Sequence, residues 1–157
     1  MKEKTKLESG AEIINLLDSL AGDSGNLIVL SDTEYRKEWN KIKDYISDQY
    51  FLKYTERKKL GYRVYYYDDP EYVKLTEIRH KKNTKTIVLG FTVTYGERTW
   101  SYLARIKKSE LIDPDYNDKI CQKIRNKRIK YLNERIEKCM ISMGKYVEEL
   151  EKIEGES

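Results

Sequence analysis

The 157-residue sequence has two cysteines, two prolines, one histidine and no run of about 20 apolar residues that would span a bilayer. The charged first seven residues also lack the apolar core of a secretion signal. Cys121 and Cys139 are predicted to lie on one helix, where their separation of 18 residues corresponds to roughly 27 Å, too far for a disulfide. We therefore expect reduced thiols, a cytoplasmic location and no association with a membrane.

Several common signatures of enzymes are also missing. The single histidine, His80, and the absence of a CxxC pair argue against a structural zinc site. No glycine loop of the form GxxxxGKS or GxxxxGKT is present to hold a nucleotide phosphate. Residues 22–25, Gly-Asp-Ser-Gly, look like the segment around a serine-protease nucleophile, but the glycine and proline that usually follow are absent. We interpret these four residues as a loop.

Charged residues and tyrosines are abundant instead. Lys and Arg total 31 against 27 Asp and Glu, so the net charge is only +4 and the local distribution must indicate the partners. Lysine outnumbers arginine 22 to 9, tyrosine reaches 14 and glutamine only 2, a bias typical of an AT-rich genome and a hot environment. In length and composition, though in no motif, the chain resembles the small orphan proteins of viruses that infect hyperthermophilic archaea. That resemblance implies a viral protein that acts on nucleic acid in the host cytoplasm.

The first third of the chain predicts two helices with a strand between them. Residues 9–12 have the capping-box form, with Ser at the N-cap and Glu three residues later, before a helix that ends at Gly22. The apolar run 27–30 predicts a buried strand. Residues 31–34 repeat the capping box before a second helix, which has one apolar face formed by Tyr35, Trp39, Ile42 and Ile46.

From residue 61 to residue 108 the apolar pattern changes to a period of two, which is typical of strands. Strands are predicted at 62–67, 72–79, 86–95 and 98–107. Short turns between them indicate antiparallel pairing. The expected fold class is therefore α+β: an antiparallel four-stranded meander packed with two short N-terminal helices and one long C-terminal helix. We expect a single domain over 1–157, with helices within 9–50, the meander over 61–108 and the long helix over 114–153.

The predicted long helix carries a regular apolar pattern. Asp113 and Pro114 suit its N-cap and first position. Apolar residues then recur at strict three- and four-residue spacings in a set that we call the apolar seam: Ile129, Leu132, Ile136, Cys139, Met143, Tyr146, Leu150 and Ile153. This spacing suits a coiled coil, including a homodimer through this helix, or a helix packed within the chain. For a chain of this size we favour packing within the chain.

The same helix is basic in its first half and acidic in its second half. Between residues 119 and 138, eight basic residues stand against two acids, a local charge of +6. From residue 145 to residue 157, two lysines stand against five glutamates, a local charge of −3. The helix macrodipole favours the opposite order by about 0.3–1 kcal/mol per charge. Three explanations stay open: contact with phosphate, antiparallel pairing of two copies, and solvation of exposed faces.

Two further groups of basic residues flank the predicted sheet. One precedes it (Lys53, Arg57, Lys58, Lys59, Arg63), and the other lies around its second turn (Arg79, Lys81, Lys82, Lys85). Nearby tyrosines, at 54, 62, 65, 66 and 67, either stack on bases or pack against the sheet. Duplex DNA is the binding partner that we favour for this protein. The candidate contact residues are Lys58, Lys59, Lys81, Lys82, Lys123, Arg125, Lys127, Arg128 and Lys130.

A nuclease that depends on Mg²⁺ is the catalytic hypothesis that the residues support. Paired carboxylates hold Mg²⁺, and a nearby basic group orients the scissile phosphate. Asp69 and Glu77 are the candidate metal ligands, and Arg79 and His80 complete the candidate catalytic set. Glu77 and Arg79 share one strand face, in a likeness to the Asp…Glu-x-Lys core of many nucleases. Arginine in place of lysine and the short interval from Asp69 to Glu77 depart from that pattern, and turn aspartates are common.

The sequence therefore leaves hypotheses of three classes. The first is a DNA-binding protein that uses basic surface clusters and, if it is an enzyme, cleaves DNA with Mg²⁺. The second is a protein–protein interaction module, such as an inhibitor of a host factor or of a defence system, that uses the apolar seam. The third is a structural component of a virion.

Overall fold

A computed structural model describes residues 9–23 and 25–155 of the chain. Outside this described part lie the charged start of the chain, Ser24 of the predicted loop and the last two residues of the acidic segment. The residues fall into two compact units, and the boundary lies between Cys121 and Gln122. The sequence had predicted a single domain over 1–157.

The first helix, α1, spans Gly10–Ala21 and begins as the capping box predicts. The Ser9 hydroxyl accepts a hydrogen bond from the backbone N–H of Glu12 (3.3 Å), which would otherwise lack a helical partner. Gly22 follows the helix with a φ of +65°, in the left-handed region that favours glycine. The predicted boundaries of this helix are therefore confirmed at both ends.

Four strands form one antiparallel sheet in the order β1-β2-β3-β4: Ile28–Ser31, Val73–His80, Thr86–Tyr95 and Arg98–Lys107. The predicted four-stranded antiparallel sheet is confirmed, but the strand predicted at 62–67 is wrong. Tyr66–Asp68 instead forms a turn of 3-10 helix. The fourth strand of the sheet is β1, which pairs with the edge of β2 and places Leu30 opposite Ile78.

The second helix, α2, spans Arg36–Lys59 and extends past the predicted limit at residue 50. Its predicted apolar face is confirmed, with Trp39, Ile42 and Ile46 all buried. The capping box predicted at 31–34 is wrong, because no side chain caps the start of α2. Ser31 is held in extended conformation as the last residue of β1, and its hydroxyl pairs with that of Thr33 (3.0 Å).

One face of the sheet carries the core of the first unit. Alternate residues of β3 are fully buried on this face: Ile87, Leu89, Phe91 and Val93. The apolar sides of α1 and α2 belong to the same core cluster. A bulge between Leu75 and Glu77 shifts the alternation in β2, so that Leu75 and Ile78 are both buried while Glu77 is turned to the opposite face.

The opposite face of the sheet carries both polar and apolar residues and is more open. By the register of the strands, Val29, Arg79, Val88 and Arg105 form one row across it. Val29 and Leu103 on this face are 39% and 56% exposed. An antiparallel sheet commonly has one covered and one solvated face, and this sheet follows that pattern.

A short helix, α3 (Lys108–Ile112), precedes the long helix α4, which spans Tyr116–Gly155. Ahead of α4, the Asp113 carboxylate accepts a hydrogen bond from the backbone N–H of Asp115 (2.9 Å), and the helix begins at Tyr116 rather than at 114. Both cysteines are free thiols on α4, as predicted. No helix in the described residues is both long and apolar enough to cross a membrane.

From Ile129 onward, α4 presents its apolar residues to solvent. For the apolar seam, the favoured prediction was that it would be covered within the chain. Its side chains are instead exposed, from 42% at Leu132 to 71% at Tyr146. The prediction of the helix is therefore confirmed, whereas the favoured environment of its apolar face is corrected.

Candidate nucleic-acid interface

The four predicted catalytic residues lie at three different places in the first unit. Asp69 belongs to the segment before β2, next to the 3-10 turn. Glu77 and Arg79 lie together on the open face of the sheet, as their spacing predicts. His80, one residue further, is fully buried on the core face. Strand alternation thus separates His80 from its neighbour Arg79.

Asp69 is engaged by groups of the protein itself. Its Oδ2 accepts a hydrogen bond from Lys58 Nζ (2.9 Å), and its Oδ1 accepts one from the backbone N–H of Glu71 (3.0 Å). Burial raises the pKa of Asp69, but the Glu71 amide and the Lys58 ammonium outweigh it and hold the pKa below its ordinary value. Asp69 therefore joins the end of α2 to the segment that leads into β2.

Glu77 forms an ion pair with Arg79 through Oε2 and Nε. Its side chain lies over Gly90 of β3, where a Cβ would overlap the Glu77 Cγ. Glycine at this position therefore lets the acidic side chain lie flat against the sheet. The predicted position of Glu77 and Arg79 on one strand face is confirmed. The requirement for Gly90 depends on the pairing of β2 with β3, which spacing alone does not reveal.

His80 links β2 to α1 instead of facing the open surface. Its Nε2 lies 2.8 Å from Asp18 Oδ1, whereas no group in the described residues is a partner for its buried Nδ1. Burial lowers the pKa of His80, and the nearby Lys108 ammonium acts in the same direction, against the Asp18 carboxylate. A neutral imidazole with a proton on Nε2 accordingly donates to Asp18.

The predicted Mg²⁺ ligands each have a basic partner: Asp69 holds Lys58, and Glu77 holds Arg79. Across the described ranges, no three His, Cys, Asp or Glu side chains are grouped closely enough to hold a metal ion. Both carboxylate oxygens of Asp69 and the Oε2 atom of Glu77, which are oxygens of the kind that binds Mg²⁺, thus already contact lysine, arginine or backbone amide groups.

The open sheet face holds a group of cations that spacing only partly revealed. A shallow depression on it is lined by Leu27, Arg79, Lys81, Thr84, Thr86, Val88 and Arg105. Three of these residues are cationic, two bear hydroxyl groups, and none is acidic, a composition that suits an anion. Arg105 was missed by the sequence analysis, although its alternation with the core-facing Ala104 and Ile106 places it on this face.

The turn between β2 and β3 has a fixed backbone. The Lys81 carbonyl accepts hydrogen bonds from Thr84 Oγ1 (2.6 Å) and from Lys108 Nζ (3.1 Å). Asn83 adopts a φ of +64°, which asparagine tolerates better than most residues. Of the two predicted contact residues here, Lys81 is exposed and Lys82 is half-buried. The turn therefore presents Lys81 at the margin of the cationic depression.

The tyrosines near the basic residues divide into two groups. Tyr50 and Tyr54 pack against the core, and burial raises the pKa of both, that of Tyr50 to about 12. Tyr65 and Tyr67 stack on each other with ring centroids 5.4 Å apart, and both remain exposed. Tyr66 stacks on the exposed Tyr95 of β3 at 4.4 Å. Packing against the core is therefore confirmed for Tyr54, whereas stacking on bases stays a prediction for the exposed Tyr65 and Tyr67.

The first predicted basic cluster is partly neutralised. Lys58 contacts both Asp69 and Glu71, and these contacts raise its pKa. Lys59 is exposed at the end of α2. Within this cluster, Lys58 therefore serves an internal ion pair, and Lys59 is more accessible to a partner.

The basic segment of α4 lies in the second unit. Lys123, Arg125, Lys127 and Lys130 are exposed, and the guanidinium of Arg128 lies 5.4 Å from the centroid of the Tyr131 ring. That distance fits a cation–π contact, which fixes Arg128 along the helix. Residues 123–130 thus place five cations on little more than two helical turns.

Comparisons with known proteins bring no further assignment. No family model, no curated protein and no solved structure matches the chain.

Proposed function

We propose that this protein binds duplex DNA, and that residues 123–130 of α4 provide its principal contact with the phosphate backbone. One observation carries the proposal: five of these eight residues are basic, none is acidic, and four of the five are exposed. The cations of the open sheet face in the first unit, Arg79, Lys81 and Arg105, provide a second surface for an anion.

The clustering of basic residues at 123–130 does not stabilise the helix. Lys123 and Lys127 lie four residues apart, and Lys127 and Lys130 lie three apart, so like charges face each other along one side. Such pairs destabilise a helix by about 0.2–0.5 kcal/mol each. These cations also lie far from the C-terminal turn of α4, where the helix macrodipole would stabilise them. Phosphate removes this repulsion, and each neutralised phosphate also releases counterions from the DNA.

The shape of the segment suits a duplex as well. An α-helix with its side chains fits the major groove, where basic residues reach phosphates on both sides. Lysine and arginine contacts of this kind give affinity without strong sequence preference, because phosphate oxygens are the same at every base pair.

A titration across ionic strength tests the proposal. We expect the affinity for a short duplex to fall steeply between about 50 and 200 mM salt, with a logarithmic slope near −0.9 for each phosphate contact. The triple variant Lys123→Gln, Lys127→Gln, Lys130→Gln should bind more weakly and with a slope less negative by about 2–3. No binding at low salt, or affinity insensitive to salt, would overturn the proposal.

The same helix offers a matched control. Lys138, Lys145 and Lys152 are also exposed lysines of α4, but they lie beyond the basic segment. The triple variant that replaces them with glutamine makes the same change in net charge. Equal losses of affinity in the two triple variants would remove residues 123–130 as the contact site.

Cleavage of the bound DNA stays a prediction of the sequence with its own test. Linear duplex would be incubated with Mg²⁺ or Mn²⁺ and the parent protein, the Glu77→Gln variant or the Asp69→Asn variant. The nuclease hypothesis expects cleavage by the parent and its loss in both variants. Absence of cleavage by the parent would exclude this activity and leave the binding proposal unaffected.

A further inference from the structure

The apolar seam of α4 is an exposed surface with the spacing of a coiled coil. Its eight residues alternate at intervals of three and four from Ile129 to Ile153, so they occupy the a and d positions of a heptad repeat. All eight are exposed, including Ile136 at 56% and Ile153 at 68%. A continuous exposed apolar stripe of this length marks an association surface.

We propose that the occupant of the seam is a second copy of the same helix, paired in the antiparallel direction. In an antiparallel pair, each a position faces a d position of the other copy. The register that covers the whole seam places Ile129 opposite Ile153, Leu132 opposite Leu150, Ile136 opposite Tyr146 and Cys139 opposite Met143. Each of these four pairs occurs twice by symmetry, so every seam residue has a partner.

The charged residues beside the seam select this direction. In the antiparallel register, the flanking g positions face each other, which brings Arg135 of one copy against Glu149 of the second copy. In a parallel pair, g faces the e position five residues later, which brings Glu149 against Glu154 of the second copy. The antiparallel pair therefore gains two opposite-charge contacts, and the parallel pair meets two like-charge contacts.

The apolar residues beside the seam agree with this direction. Met140 and Val147 occupy e positions and are 62% and 45% exposed. Antiparallel pairing brings e positions together, so Met140 meets Met140 of the second copy at the symmetry axis. Parallel pairing would instead place Met140 beside the charged Arg135.

The charge of the whole helix gives an independent reason for a second copy of this chain. The segment 119–138 carries +6 and the segment 145–157 carries −3. An antiparallel pair sets each basic half against the acidic half of the other copy, and this complementarity lies within one sequence. The inference goes beyond the proposed DNA binding and does not depend on it. It places residues 123–130 of the two copies at opposite ends of the pair, with centres roughly 44 Å apart.

The oligomeric state tests the pairing itself. Sedimentation of the full chain without DNA should give the mass of a dimer that dissociates on dilution. Ile136 and Ile141 form a matched pair, because they are 56% and 57% exposed on the same helix but only Ile136 belongs to the seam. Ile136→Asp should weaken dimerisation by roughly a hundredfold or more, since it buries a charge, and Ile141→Asp should leave it unchanged. A parent chain that sediments as a monomer or a tetramer, or equal effects of the two variants, would overturn the proposal.

Cysteine crosslinking tests the direction. In a background with Cys121→Ser and Cys139→Ser, the double variant Ile129→Cys, Ile153→Cys should form a covalent dimer under mild oxidation. Each single variant should not, because positions 129 and 153 face each other only when the helices are antiparallel. Crosslinking of the single variants would show a parallel pair and overturn the proposal.

A charge exchange provides a second measure of direction. Glu149→Arg should raise the dimer dissociation constant by roughly fivefold, because it sets two arginines against each other at each g pair. Adding Arg135→Glu should restore the parental value by exchanging the two charges. In a parallel pair, Glu149→Arg would remove the repulsion from Glu154 and tighten the dimer. Tighter association of the single variant would therefore overturn the antiparallel pairing.

Discussion

The two units of this chain place apolar residues at the same helical spacings and give them opposite environments. In α2 of the first unit, Trp39, Ile42 and Ile46 are at most 4% exposed. In α4 of the second unit, Leu132 and Ile136 are 42% and 56% exposed. A helical apolar pattern thus indicates that one face has a partner, but the partner's origin follows from the other residues.

The two units differ in what covers their apolar helix faces, and the difference has a physical reason. In the first unit, the apolar face of the sheet is wide enough to cover α1 and α2, and their side chains share one core. In the second unit, the seam is flanked by charges that suit a second copy of the same helix. The stability of the first unit should therefore be independent of protein concentration, whereas that of the second should rise with it.

The largest expected effect contrasts Leu89 with Leu132. Leu89 is fully buried, so Leu89→Ala should lower the free energy of unfolding of the first unit by about 2–5 kcal/mol. Leu132→Ala should leave that unfolding unchanged and reduce the helix content most strongly at low protein concentration. Both tryptophans, Trp39 and Trp100, lie in the first unit, so their fluorescence during urea unfolding reports this unit alone. Equal shifts of the fluorescence midpoint in the two variants would contradict the contrast.

The next largest effect compares two helical glycines. A Cβ at Gly10 would overlap the backbone carbonyl of Leu111, so Gly10→Ala should destabilise the first unit by roughly 1–3 kcal/mol. Gly144 lies inside α4 with no atom within 4 Å of such a Cβ, and Gly144→Ala should stabilise the helix by about 0.5–1 kcal/mol. Thermal unfolding followed by circular dichroism would measure both changes. A loss of helix stability in Gly144→Ala would show that another group packs against α4 at this position and would contradict the contrast.

A smaller effect is expected from the two carboxylates that contact Lys58, one of which is buried and the other exposed. The side chains of Asp69 and Glu71 both contact it and are 8% and 68% exposed. Asp69→Ala should cost about 1–3 kcal/mol, because the Glu71 amide loses the acceptor that the buried Asp69 carboxylate provides. Glu71→Ala should change the free energy of unfolding by less than about 1 kcal/mol, since the pair is exposed. Similar urea midpoints for the two variants would indicate that Asp69 has little structural role.

Local patterns predicted the parts of the fold that depend on neighbours in sequence. The capping box at residues 9–12, the alternation in β3 and the long helix α4 all follow from short-range hydrogen bonding and periodicity. The capping box at 31–34 failed although its residues fit the same pattern. The pairing of Ser31 with Glu77 in the sheet took precedence over the local preference.

The candidate site depended more strongly on contacts between distant residues. Glu77 and Arg79 were placed together correctly because two residues separate them on one strand. The ion pair between Lys58 and Asp69 spans 11 residues, and the contact between Asp18 and His80 spans 62. Neither follows from spacing, since each requires the end of one helix to meet a particular strand or loop. The bulge in β2 adds a further shift that alternation does not reveal.

The smallest effect concerns the pH dependence of the first unit. Burial and Lys108 hold the pKa of His80 below its ordinary value despite the Asp18 carboxylate, so the unfolded chain binds a proton at a higher pH than the folded chain. The contribution of His80 is therefore fully present above about pH 6.5, the ordinary value, and is lost as the pH falls below it.

Urea unfolding followed by tryptophan fluorescence between about pH 7.5 and 5.5 would measure this loss, because the window lies above the ordinary pKa of carboxyl groups. His80→Leu removes the titrating ring and should flatten the dependence, whatever its effect on the absolute stability. Asp18→Asn is the complementary variant: without the carboxylate that opposes the shift, the loss at low pH should be steeper than in the parent. A His80→Leu variant with the parental pH dependence would mean that another group of the first unit titrates in this range and that the buried imidazole is not its source.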